Sequence, residues 1–158
     1  MFKKGFLLTL IVGMVLALAA PGQAAVVYFD DLDASIHLIT VPASYSGLQW
    51  DGHVSVISLG NYNESTGNTI AFPSPPNAAF NNGGYPTATI TISGGLMNVV
   101  GAYFATWARN DAWSDFSTAF VTVSGYLSGS LVGTVTVTDL DPTEFTYAAL
   151  NLNNIDTL

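Results

Sequence analysis

The feature that most constrains this chain is an alternation of apolar and hydroxyl residues with a period of two. Thr87-Ala88-Thr89-Ile90-Thr91-Ile92-Ser93 puts Ala88, Ile90 and Ile92 on one side and hydroxyls on the other, the pattern of a half-buried antiparallel strand. Phe120 to Tyr126 sets Val121 and Val123 against Thr122 and Ser124. After Leu127-Ser128-Gly129-Ser130, the run Leu131 to Thr138 alternates Val135 and Val137 with Thr134, Thr136 and Thr138. Two such runs joined by a short turn predict a hairpin. Further strands are expected over Val26–Asp30, Ile36–Val41, Val54–Leu59, Val99–Thr106 and Phe145–Leu150. Their β-branched and aromatic residues suit a pleated surface, and no apolar stripe at helical spacing is long enough to matter.

Phe72 to Pro86 holds Pro73, Pro75, Pro76 and Pro86 with Asn81-Asn82-Gly83-Gly84. It reads as a long surface loop, because proline cannot donate to a ladder and these glycines suit positive φ. Many short strands punctuated by turns predict an all-β protein, a two-sheet antiparallel β-sandwich formed as a single domain. Asn154-Ile155-Asp156-Thr157-Leu158 looks like the entry into one more strand. A strand left without a partner would expose a sheet edge, so either the last strand is very short or the C-terminal strand is truncated.

The N-terminus reads as a secretory signal. Lys3 and Lys4 precede an apolar run from Phe6 to Ala20, Pro21 breaks it, and Gly22-Gln23-Ala24 supplies small residues for cleavage. The run is shorter than the roughly 20 residues a bilayer-spanning helix needs. Residues 1–24 are therefore expected to leave as a signal peptide. The domain then occupies residues 25–158, is secreted or held in the cell envelope, and has no membrane partner after cleavage. Arg109 becomes the only Lys or Arg beside eleven acids. Nucleic acid and anionic lipid are excluded as partners, since both are bound through Lys and Arg clusters. The chain has no cysteine, which removes thiolate zinc sites and cysteine nucleophiles.

Several stretches resemble a class of exported bacterial domains found in proteins sorted by a C-terminal Pro-Glu-Pro (PEP-CTERM) signal. They are Phe29-Asp30-Asp31-Leu32, Val41-Pro42-Ala43-Ser44-Tyr45-Ser46-Gly47-Leu48-Gln49-Trp50, Asn77-Ala78-Ala79-Phe80-Asn81-Asn82-Gly83-Gly84 and Gly101-Ala102-Tyr103-Phe104-Ala105-Thr106-Trp107, with Val121-Thr122-Val123-Ser124-Gly125-Tyr126 and the last five residues. The resemblance implies a jelly-roll-like sandwich, exported, with no established catalytic role. Members usually continue into another strand ending in an Asp-Asn pair. That strand, the Pro-Glu-Pro motif and the apolar and basic tail that follow it are not in this sequence.

Two kinds of residue offer chemistry. Asp30, Asp31 and Asp33 fall at the end of the first expected strand, and Asp139 and Asp141 at the end of another. Calcium takes six to eight oxygens, so Asp30 and Asp31 are the expected ligands of a structural calcium site like those of jelly-roll binding modules. Solvated turn caps are the plainer reading of all five acids. Flat aromatics beside amides and acids suit sugars, whose rings have apolar faces and hydroxyl edges. Trp113, Trp50, Tyr45 and Asn110 are the expected ligand-binding residues, against the commoner fate of a tryptophan in the core. Trp107 continues a strand pattern and is expected in the core, and Arg109 is expected to pair with Asp111 or another acid.

Catalytic signatures are thin. His37 and His53 lack zinc-hydrolase spacing, and the serine-elbow, phosphate-loop and dinucleotide motifs do not occur. The chain is thus expected to be no enzyme, but an exported module binding extracellular polysaccharide through loop aromatics. The alternatives are a structural envelope or matrix protein without a small ligand, and a glycan-active hydrolase working through two of its acids.

Overall fold

The computed structural model describes residues 26–36, 38–67, 70–82, 88–91, 95–106 and 120–158. Its elements in chain order are β1 (Ile39–Thr40), β2 (Ser44–Tyr45), β3 (Leu48–Trp50), β4 (Val54–Ser58), α1 (Leu59–Thr66), β5 (Asn77–Asn81), β6 (Ile90–Thr91), β7 (Met97–Phe104), β8 (Phe120–Leu127), β9 (Ser130–Thr138) and β10 (Thr146–Ile155). Every strand pair among them is antiparallel, and the chain is all-β, as the alternation predicts.

The β8–β9 hairpin shows how the alternation works. Val121 pairs with Val137 and Val123 with Val135, and Val121, Val123 and Val135 face the core cluster around Leu150, Leu152 and Ile155. On the other side, Thr122 and Thr136 share a hydroxyl hydrogen bond at 3.2 Å, as do Ser124 and Thr134. Ser128 and Gly129 turn the hairpin with φ of 50° and 78°. Positive φ at both turn residues matches the twist of the flanking strands. Ser46 and Gly47 use the same device, at 51° and 76°, to join β2 to β3.

Two layers result. One carries β2–β3–β6 and β8–β9, bridged where Thr157 pairs with both Thr91 and Tyr126. Facing it, β1–β4–β5 and β10–β7 form two separate sheets. Ala34, Val41, Trp50, Val54 and Val56 fill the space at one end, and Val123, Leu150, Leu152 and Ile155 fill it at the other. Among the described residues no helix is long and apolar enough to cross a membrane.

Four local expectations are corrected. Residues 26–29 form no regular strand; they lead instead into a turn at Asp30 and Asp31. The expected strand at Val54–Leu59 stops at Ser58, whose hydroxyl accepts from Asn61 N at 3.3 Å and caps α1. This helix closes on Gly67 in the left-handed region, and its two turns are too short to display a stripe in the sequence.

The expected loop from Phe72 contains β5, which pairs with β4 along its whole length. No proline falls between Pro76 and Pro86, so Asn77–Asn81 keep their amide donors. The last strand runs past Leu150 to Ile155 because bulges at Asn151 and Asn154, with φ of 50° and 55°, keep Leu152 and Ile155 pointing inward. Beyond it, Leu158 and Ile90 exchange backbone hydrogen bonds of 2.8 and 3.0 Å, so the final residues are paired.

Candidate functional site

Phe29 to Leu32 fold into a tight turn, with Leu32 N donating to Phe29 O at 3.1 Å. Asn77 of β5 is 6% exposed and fastens this turn from below, its Nδ2 donating to Phe29 O at 2.7 Å and to Leu32 O at 2.6 Å. Tyr45 approaches from the β2–β3 hairpin. Its ring stacks on Phe29 at 5.7 Å between centroids and 16° between planes. Trp50 meets the other edge of Phe29 at 5.7 Å and 73°, and its Nε1 donates to Tyr45 O at 3.1 Å. Above this aromatic stack lies an open depression of about 420 Å³ lined by Val26, Tyr28, Asp30, Asp31, Tyr45 and Ser46. Tyr28 is 55% exposed there.

The Tyr45 hydroxyl has one proton and two close acceptors, Asp31 Oδ1 and the Tyr28 carbonyl oxygen. Burial and the Asp31 carboxylate push its pKa up from 10 to about 12. A phenol raised in the folded state stabilises that state fully below its ordinary pKa and progressively less as pH rises through the folded value. Wild-type stability is therefore expected to fall between about pH 10 and 12 by a component that Tyr45→Phe lacks. Urea midpoints across that range check this; identical alkaline profiles for the two proteins would contradict it.

Asp30 points inward beside this site. Its Oδ2 accepts from Ser74 Oγ at 2.6 Å, whereas Oδ1 is buried with no hydrogen-bond partner. A buried carboxylate oxygen without a partner costs roughly 1–3 kcal/mol or more, and a hard cation is one way to satisfy it. Asp30, Asp31 and the Tyr28 carbonyl supply oxygens of the kind calcium takes, and the Tyr45 hydroxyl already sits against Asp31 Oδ1 and that carbonyl. Among the described residues no group of three or more His, Asp or Glu is arranged to hold a metal, so further ligands there would be carbonyls, hydroxyls or water.

Of the residues expected from the sequence, the structure brings Tyr45, Asp30 and Asp31 together. Trp50 is 8% exposed and packed in the core. It supports Tyr45 from beneath and offers no free ring face. Trp113 and Asn110 lie outside the described residues, as do Trp107, Arg109 and Asp111.

Asp33 and Asp141 behave as turn caps. Asp33 Oδ1 accepts from Ser35 N and Oγ at 3.2 and 2.6 Å, and Asp141 Oδ1 accepts from Thr143 N and Oγ1, both at 2.6 Å. These bonds hold both carboxyls below their usual range. Asp51 Oδ2 lies 3.2 Å from His53 Nδ1. Tyr28 is the site residue that sequence reasoning missed, because Val26–Asp30 reads as a strand whose alternation gives its residues no special role.

No protein-family model, curated protein or solved structure matches this chain.

Proposed function

We propose that the protein is an exported, non-catalytic module that binds extracellular polysaccharide at the depression formed by Tyr28, Tyr45 and Asp31, with calcium held structurally at Asp30 and Asp31. The observation that supports this reading most is the composition of the depression: two tyrosines, two carboxylates and a serine line one open surface. Aromatic faces there meet the apolar side of a sugar ring while the polar atoms meet its hydroxyls. The acids sharing the depression come from a single turn. A glycosidase sets its two carboxylates on opposite sides of the scissile bond, so this geometry favours binding over hydrolysis. The resemblance to exported jelly-roll-like domains agrees with an extracellular location.

Tyr28 provides the clean test, since its ring is half-exposed and outside the core clusters. Tyr28→Ala is expected to weaken polysaccharide binding about tenfold, from the loss of one stacking contact and its hydroxyl. Its unliganded melting midpoint should stay within a few degrees of wild type. Titration calorimetry with the bound polysaccharide checks this; unchanged affinity would place the ligand elsewhere. Adding calcium should raise the wild-type midpoint, and Asp30→Asn should abolish that rise.

A further inference from the structure

A second aromatic surface lies on the outer face of β7 and β10, away from the depression. Gly101 of β7 has no side chain, and a methyl group built there would sit 2.4 Å from the Tyr147 hydroxyl oxygen and 2.7 Å from its Cζ. The Tyr147 ring therefore lies across the glycine, one side against the backbone, with half its surface still exposed. Tyr103 is its cross-strand partner; the two rings meet at 5.2 Å and 62°, and Tyr103 is 54% exposed. Covering a strand glycine with an aromatic ring stabilises a sheet, which accounts for Tyr147. It leaves the exposure of Tyr103 and of the neighbouring Val100 unexplained.

The polar surroundings narrow the ligand chemistry. Asn98, Asn151 and Asn153 are exposed on the same two strands, and neither β7 nor β10 contains a charged residue. The chain as a whole has a net charge of −8, so an anionic polymer is repelled by the rest of the protein, and a cationic one finds no carboxylate on this face. A second copy would bring another net −8 against the first. A neutral polymer with apolar ring faces and hydroxyl edges matches exposed tyrosines bordered by amides. We infer that the outer β7–β10 face, through Tyr103 and Tyr147, is a platform for a neutral polysaccharide strand. The inference rests on the glycan-binding reading given above and adds a second contact surface to it.

Electrophoresis of the native protein through gels containing mixed-linkage β-glucan, galactomannan or dextran tests the platform. Wild type should be retarded by at least one of them. Tyr103→Ala, and Tyr103→Leu, which keeps apolar bulk but removes the ring, should each lose about tenfold in affinity with melting midpoints close to wild type. Tyr28→Ala separates the two surfaces. Retardation that is sensitive to Tyr28 but unchanged in both Tyr103 variants overturns the platform and leaves the depression standing. Sensitivity to Tyr103 alone keeps the platform and removes the depression. Absence of retardation by all three polymers overturns the platform, as does a concentration-dependent dimer that Tyr103→Ala disperses.

Discussion

Replacing Trp50 with alanine is expected to destabilise the protein by about 3–5 kcal/mol, the range for deleting a buried indole. The side chain is 8% exposed, sits among Ala34, Val41, Val54 and Val56, and carries the edge of Phe29 on which Tyr45 stacks. Its Nε1 bond to the Tyr45 carbonyl would also be lost, leaving a half-buried acceptor to find water. Urea unfolding measures the change. A loss of under about 1 kcal/mol would mean that the indole is not a core element. Ligand affinity is expected to fall in this variant too, but only with the loss of stability, because Trp50 acts on the depression through Phe29 and Tyr45. Tyr28→Ala, in contrast, should lose affinity alone.

Ile155→Ala should cost about 2–5 kcal/mol. Ile155 is fully buried at the point where β10 meets β7, paired with Met97. It packs so closely under β8 that a methyl group on Gly125 would lie 2.9 Å from its Cγ2. The cavity left by alanine lies beneath the residues that bridge β6 to β8. Amide exchange at Tyr126 and Leu158, whose N–H groups donate to Thr157 O and Ile90 O, is therefore expected to accelerate. Unchanged exchange at both amides in a destabilised variant would show that the bridge holds independently of the core beneath it.

These two residues also mark what was legible in the sequence. The β8–β9 hairpin was readable because its valines and hydroxyls alternate without interruption and one face is buried. The inward position of Ile155 was not, since two bulges break the period of β10 and a strict alternation assigns the wrong parity after Leu152. The β5 strand was hidden by the prolines on either side of it, Pro76 before and Pro86 after, and by its alanines, which give a weak pattern. At the candidate site, Asp30, Asp31 and Tyr45 were legible as chemistry: carboxylates at a turn and an aromatic beside a Ser-Gly turn. Their meeting was not, because it depends on Asn77, a residue 45 positions from Leu32, holding the turn in place. Trp50 shows the limit of residue type as evidence, since an indole serves equally as platform or core, and only its neighbours decide.

The most direct test of the account is the melting midpoint of the wild-type protein against a panel of neutral polysaccharides, with and without calcium. A ligand that binds only the folded state raises the midpoint in proportion to the logarithm of its concentration over Kd. A saturable rise with at least one polysaccharide is expected, and a separate rise with calcium alone. A clean transition that no polysaccharide shifts, at any calcium concentration, would contradict it and favour a structural protein without a small ligand.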